Sequence, residues 1–325
     1  VRRILRDESG FGSEEKEIMR ISRLGEFGLI NTIRKMNPAK NKGVVIGVGD
    51  DTAVIRNDKS RYILMTTDTL VENIHFNLKY FHFYEVGWKL LAVNLSDIAA
   101  MGGIPKYALV TLGLKKNTNI SDIKEFYAGI RSLARKNNVD VVGGDIVSSP
   151  NNLFFTMDLF GVAEKVVRRS GARPGDAVIS IGKIGASSAG LAHLKKHGRK
   201  AMTSNVKAHL MPTPMLKEGR LASEHATSMI DNSDGLARCL IEICKESKVG
   251  ARIDLSKVPL AAGASIEQAL DGGEDYNLIL TAPMNKARSV KGGVVIGEIT
   301  RSKKIMLVDG SGKQRILKDK GYEHF

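Results

Sequence analysis

Apolar runs in this 325-residue chain repeatedly terminate in aspartate. Asp50 and Asp51 follow VVIGVG, Asp68 follows ILMTT, Asp145 follows VVGG, and Asp231 and Asp234 come after SMI, while Asp97 sits inside the apolar stretch LLAVNLSDIAAMGG. Aspartate is a poor strand residue and costly to bury, so a single instance reads as a turn or a helix cap. Repeated at several strand ends, such acids can converge on one mouth of a sheet, where their repulsion needs compensation. Their sequence neighbours are Gly, Thr, Ser and Asn rather than Arg or Lys, which makes a metal ion the better source of positive charge. The candidate donors are hard oxygens: the Asp carboxylates, the Thr66 and Thr67 hydroxyls, Asn94 and Ser233. They select Mg²⁺ or Mn²⁺ over zinc or copper, and their number suits more than one ion, as phosphoryl transfer often requires.

A nucleotide is the natural companion of Mg²⁺, yet the familiar signatures are missing. GVGDDT lacks the third glycine of a dinucleotide fingerprint. No G-x-x-x-x-G-K-[ST] occurs, ISIGKIG being the nearest text, and there is no H-R-D or D-F-G set. ATP phosphates would have to be held through metal ions and glycine backbone. The net charge of +14 favours phosphorylated partners. Its basic residues gather at 195–220 and 301–320 without interleaved aromatics, the pattern of a solvated face rather than of a nucleic-acid surface. The two cysteines, Cys239 and Cys244, lie five apart in a helical pattern, which turns them to different sides and makes them small apolar fillers rather than a disulfide or zinc site. No window offers the uncharged apolar length of a spanning helix, and VRRILRDESGFGSEEKE has no signal-peptide core. A cytoplasmic protein is expected.

The elements that must position the acids alternate. Helical spacing at 17–36 precedes strands at 44–48 and 62–67, a helix at 84–101, a strand at 107–114, a helix at 121–136, and strands VDVVGG and LFFTMDLFGVA. The Arg-rich and Pro-Gly turns of KVVRRSGARPGD mark a change of character near 165. Two domains of the α/β (α+β) class are expected, 1–165 and 166–325, the second with helices near 186–197, 215–226 and 235–247, a basic loop between the first two, and strands at SMID and toward the end.

In this order, GVGDDTAVI, TTDTLVENIHF, GWKLLAVNLSDIAAMGG, VVGGD, RSGARPGD, IDNSDGL and LDGGEDYNL resemble the thiamine-monophosphate kinase family, of the superfamily that also contains aminoimidazole ribonucleotide synthetase and selenophosphate synthetase. The resemblance implies an N-terminal ATP- and metal-binding domain with a dimer-forming sheet, a homodimer, and Mg-assisted transfer of the ATP γ-phosphoryl group to thiamine monophosphate. That reaction is the last step of thiamine diphosphate biosynthesis. Carried over position by position, it implies Mg²⁺ ligands at Asp50, Thr66, Thr67, Asp68, Asp97, Asp145, Asp231 and Asp234. It implies nucleotide contacts at Tyr127, Gly144, Arg169 and Ser233, and substrate contacts at His75, Glu274 and Tyr322. No general base or covalent nucleophile is expected. The chain departs from the family pattern at Asn232, where an apolar residue is usual, and carries Thr66 where the family has Ser. Ser13 stands where selenophosphate synthetase would need a cysteine, and NIHF and LDGGEDY point away from the aminoimidazole enzyme. From the residues alone, a nucleic-acid-binding protein and a non-catalytic metal-stabilised scaffold stay open. The first predicts salt-sensitive nucleic-acid binding; the second predicts Mg²⁺ binding without nucleotide dependence.

Overall fold

The computed structural model describes residues 21–58 and 61–318. After α1 (Ile21–Leu24) and α2 (Glu26–Met36) come β1 (Val44–Ile46), β2 (Ala53–Arg56), β3 (Tyr62–Val71), α3 (Phe83–Ala100), β4 (Ile104–Leu114), α4 (Ile120–Asn137), β5 (Asp140–Ser148) and β6 (Phe154–Ala163). These strands form one six-stranded sheet, ordered β1-β2-β3-β6-β4-β5. The chain continues through β7 (Asp176–Ile181), α5 (Ala186–His197), α6 (Ser204–Leu210), α7 (Leu216–Ala222), β8 (Ser228–Asp231), α8 (Leu236–Ser247), β9 (Gly250–Asp254), α9 (Ile266–Asp271), β10 (Leu278–Pro283), β11 (Gly293–Thr300), β12 (Ile305–Val308) and β13 (Gln314–Ile316). The second sheet has seven strands in the order β13-β12-β9-β11-β7-β10-β8. The architecture is the expected α/β class with two sheets.

Helix α3 is the centre of the molecule. Between Glu85 and Ala100 every residue except Asp97 is buried, the mark of a helix packed on all sides. Its flank joins Phe126 of α4 and Phe155 of β6 in the core under the first sheet, where Leu194, Val206 and Leu210 of the second half also enter. Its last turn, Ala99 and Ala100, packs with Ile179, Leu278 and Leu280 on one face of the second sheet. The opposite face of that sheet is covered by Leu236, Leu240 and Ile243 of α8 with Ala269 and Leu270 of α9.

Local structure adds three details to the expected elements, each for a visible reason. The helical spacing of 17–36, which Gly25 and Gly28 interrupt in the sequence, breaks within the described residues at Gly25, whose φ of 71° is not helical. The basic loop contains α6, started by Thr203, whose side chain accepts a hydrogen bond from the Val206 N–H at 3.2 Å. NIHF forms a tight turn: the His75 N–H bonds back to Val71 O, and His75 Nδ1 accepts from the Val71 N–H at 3.0 Å.

Helices α3 and α4 touch backbone to backbone through glycine. A Cβ at Gly87 would sit 1.9 Å from Phe126 O, and one at Gly129 would sit 1.9 Å from Tyr84 O. Gly87→Ala is therefore expected to destabilise the fold by about 2–4 kcal/mol through forced helix separation. Gly310→Ala, with nothing within 4 Å, serves as the neutral control. Equal urea midpoints for the two variants would refute the reading.

Buried His209 of α6 meets Phe81 edge-on at 5.5 Å between centroids and has Nδ1 2.9 Å from Ser187 Oγ. Burial and then the positive charge of Lys89 push its pKa from 6.5 down to about 3, with Glu274 opposing and Lys195 adding to the shift. Between those values the unfolded chain binds a proton that the folded chain does not, so stability falls as pH falls below about 6.5. The loss due to His209 is expected to reach about 2 kcal/mol by pH 5. Urea unfolding of wild type and His209→Gln at pH 7.5 and pH 5 measures it; parallel losses in both proteins would show that His209 is not responsible.

Candidate active site

Three of the acids singled out in the sequence converge. One carboxylate oxygen each from Asp51, Asp97 and Asp231 lies within 4.8 Å of the others. Asp51 comes from the loop between β1 and β2, Asp97 from the one unburied position in the central run of α3, and Asp231 from the end of β8. The group opens on a cavity of about 600 Å³ whose wall also carries Thr66, Thr67, Asp68, Ser233 and Asp234. Strand β3 alternates, turning Leu64, Thr66, Asp68 and Leu70 toward the helices and Met65, Thr67 and Thr69 toward the open side. The Thr66 hydroxyl donates to Asp97 Oδ2, and the Ser96 hydroxyl donates to Asp231 Oδ2 at 2.7 Å.

Asp51 rather than Asp50 completes the triad. Asp51 is buried, while Asp50 lies behind it and accepts from the Asp51 N–H at 3.0 Å and the Arg169 N–H at 3.3 Å. Adjacent acids point to different sides of an extended chain; the resemblance implied Asp50, and the residue that lines the cavity is its neighbour Asp51. The sequence neighbours hid a second feature. Arg169 reaches from beyond β6 to Asp51, with Nε at 3.1 Å and Nη2 at 2.6 Å from the same oxygen. One cation thus compensates part of the cluster. No basic residue neighbours the acids in sequence, but Arg169 does so in space.

That compensation is incomplete. Burial and then repulsion from Asp68, Asp231 and Asp51 hold the Asp97 carboxyl well above the usual carboxylate range. Burial and then Asp51 do the same to Asp231. Burial pushes Asp68 up to about 6, and burial with the Asp51 charge pushes Asp50 up to about 7. Asp51 Oδ2 is buried without a hydrogen-bond partner among the described residues. A set of hard oxygens, anionic, crowded and partly orphaned, fits a divalent cation such as Mg²⁺.

Other expected residues fall in different places. Ser233 and Asp234 line the cavity, as do His75 and Glu274; Glu274 meets Lys89, eight positions and so about 12 Å along α3 from Asp97, which sets it at the far end from the acids. Glu274 has φ of 65° and donates its N–H to Ser233 O at 2.6 Å. Its neighbour Asp275 accepts from Gly185 N–H at 2.6 Å and Ser187 N–H at 2.9 Å, anchoring the loop to the start of α5. Asn94 is buried, and its amide donates back to Leu90 O at 2.9 Å, so it stands outside the donor set. Asn232 is fully buried, and its side-chain oxygen accepts from Cys239 Sγ at 3.4 Å. The polar departure at 232 is thus matched by a thiol on α8. Tyr127 lies on α4, its ring edge-on to Phe126, away from the cavity. Gly144 and Asp145 sit on the edge strand β5, exposed throughout. Tyr322 lies outside the described residues.

Comparisons with known proteins agree with the geometry. Residues 49–163 match the model of the AIR synthase related protein N-terminal domain, and residues 173–309 match that of its C-terminal domain. The thiamine-monophosphate kinase of Bacillus subtilis (strain 168) is 36% identical, the match covering 93% of this chain and 100% of that protein. The enzyme of Aquifex aeolicus (strain VF5) is 34% identical over 94% of this chain and 100% of its own. The solved structure of AaThiL complexed with AMPPCP and TMP superposes with a TM-score of 0.85 at 34% identity, covering 94% of this chain and 99% of that one. With both AIR synthase related domains present and this identity sustained over nearly the whole length, the chain belongs to the thiamine-monophosphate kinase family.

Proposed function

We propose that this chain transfers the γ-phosphoryl group of ATP to thiamine monophosphate, giving thiamine diphosphate and ADP. The observation that carries the reading is the convergence of Asp51, Asp97 and Asp231 on one cavity. The capture of AMPPCP and TMP by AaThiL, a 34% identical relative, supports the choice of substrates. The cytoplasm, where ATP is made and used, is the setting this reading assigns.

Mg²⁺ held by Asp51, Asp68, Asp97, Asp231 and Asp234, with Asp50 and the Thr66 and Thr67 hydroxyls in support, supplies the charge neutralisation that lets two anionic phosphates approach. The acceptor is a phosphate monoester with a second pKa of about 6, already ionised near neutrality. No general base is needed, and direct in-line transfer without a phosphoenzyme follows. The chain's part is positional. Arg169 and Ser233 face the nucleotide, and His75 and Glu274 face the thiamine end.

Gly144 and Asp145 enter this scheme through a second copy. Across the first sheet, Asp68 aligns with Met157, Val110 and Gly144 in successive strands. Three strand spacings put about 14 Å between the ends of that row, too far to share an ion within one chain. Strand β5 is an unpaired edge bearing Val142 at 60% and Ile146 at 70% exposure, and Tyr107 on neighbouring β4 is 52% exposed. An exposed apolar edge needs a cover. A homodimer through this sheet supplies one and brings Asp145, Gly144 and Tyr127 to the nucleotide end of the partner's cavity. In this reading residues 1–165 form the dimerising, metal-binding domain and 166–325 the domain that completes the site.

Purified protein with ATP, Mg²⁺ and thiamine monophosphate is expected to form thiamine diphosphate only when the metal is present. Asp97→Asn should lower kcat/KM by about 100-fold or more. The same change should raise the melting temperature of metal-free protein by about 2 °C, since it removes a repelled carboxylate while its amide oxygen still accepts from Thr66. Full activity in Asp97→Asn would sink the proposal. Light scattering should give twice the chain mass for wild type and one chain mass for Val142→Asp/Ile146→Asp, with activity lost in the monomer. An active monomer would count against the shared site.

A further inference from the structure

Lys89 is the one lysine of α3, and its side chain is 0% exposed in the middle of the molecule. It does not line the cavity, yet it touches both groups placed at the cavity's far end. Its Nζ donates to Glu274 Oε1 at 2.6 Å and to the His75 carbonyl oxygen at 3.0 Å, and it lies 5.3 Å from the centroid of the Phe81 ring. The other Glu274 oxygen is 3.3 Å from His209 Nδ1. One ammonium therefore ties the His75 turn of the first half of the chain to a loop of the second that lies 185 positions beyond Lys89 itself.

Stability alone is a poor explanation for such a residue. Burying an ammonium costs several kcal/mol, and its replacement by a well-packed apolar chain of similar length is often neutral or better. Methionine would fit α3, whose neighbouring positions are apolar. Glu274, at 26% side-chain exposure, could then turn to water without leaving a buried charge behind. What would be lost is its place. The Glu274 backbone has positive φ, a conformation that a non-glycine residue adopts at a cost. The short charge-assisted bond to Lys89 is the contact that aims its side chain.

We propose that Lys89 is a positioning residue for substrate recognition: by holding the Glu274 carboxylate and the His75 turn together, it shapes the end of the cavity that receives the neutral aminopyrimidine ring of the acceptor. The inference rests on the thiamine-monophosphate kinase reading, and the experiment separates the two. Steady-state kinetics of wild type, Lys89→Met, Glu274→Ala and the double variant are measured against thiamine monophosphate at saturating ATP, and against ATP at saturating thiamine monophosphate. For Lys89→Met, KM for thiamine monophosphate is expected to rise about tenfold or more while KM for ATP stays within about twofold. Because Lys89 acts through Glu274, the double variant should be no worse than Glu274→Ala alone. A folded Lys89→Met with wild-type KM for thiamine monophosphate overturns the proposal. So does a parallel rise in both KM values, or additive losses in the double variant. Wild-type protein that makes no thiamine diphosphate fails the functional reading itself, a separate result. If Lys89→Met does not fold, Lys89→Arg keeps the buried cation but displaces its donors. It should raise KM for thiamine monophosphate about threefold or more with KM for ATP unchanged, and a folded Lys89→Arg with unaltered KM overturns the proposal equally.

Discussion

Three carboxylates with oxygens inside 4.8 Å of one another cannot all ionise in a buried site unless positive charge is brought to them. The fold around them holds the acids in place despite that repulsion. Asp51 is held from the front by the Arg169 side chain, and Asp50 is held from behind by the Arg169 backbone N–H. Asp97 is pinned by Thr66, and Asp231 by Ser96. Each acid keeps part of its accepting capacity fixed by the protein and presents the rest to the cavity. A site built this way is prepared for cations before any arrive, and fixed ligands cost no reorganisation when charge develops on a phosphate.

Helix α3 makes the arrangement possible. Because it is buried on all sides, its side chains cannot drift, and it delivers three groups to three different places. Lys89 goes to the loop bearing Glu274, Ser96 to Asp231, and Asp97 to the acid cluster. The glycine contacts with α4 fix its position to within the tolerance of backbone packing. The last turn sits on the second sheet, so the helix also sets how the strand end bearing Asp231 meets the loop bearing Asp51. The active-site geometry and the packing of the two halves are one constraint.

Much of this was legible in the residues. Asp68, Asp97, Asp231 and Asp234 are poor choices for apolar runs, and that local inconsistency marked them as functional. The alternation of strands and helices followed from apolar period and Gly-Pro punctuation. What was not legible depended on direction or distance. Asp50 and Asp51 are equivalent in composition, and only the path of the chain decides which one faces the cavity. Arg169 lies 118 positions from Asp51, and no neighbour pattern reveals that pairing. Lys89 gave no signal in the sequence because the all-round burial of α3 is a tertiary fact. Helix α6 was hidden by its basic surface residues, although Thr203 before it was a readable cap.

The two ends of the cavity have opposite electrical requirements, and this bears on how the substrates are ordered. At the strand ends, anionic groups outnumber cations, so a phosphate is repelled there unless cations accompany it. At the loop bearing Glu274, Lys89 balances the carboxylate, and His209, its pKa pushed down by burial, stays neutral. A ligand with a phosphate at one end, a cationic ring in the middle and a neutral aminopyrimidine at the other end has one favourable orientation in such a field. Its phosphate needs cations beside the acids, and its neutral ring suits the charge-balanced loop. Thiamine monophosphate has this polarity. The neutral, self-satisfied network at Lys89, Glu274 and His209 is therefore as much a part of the orientation as the acid cluster, because it keeps the second end from competing for phosphate.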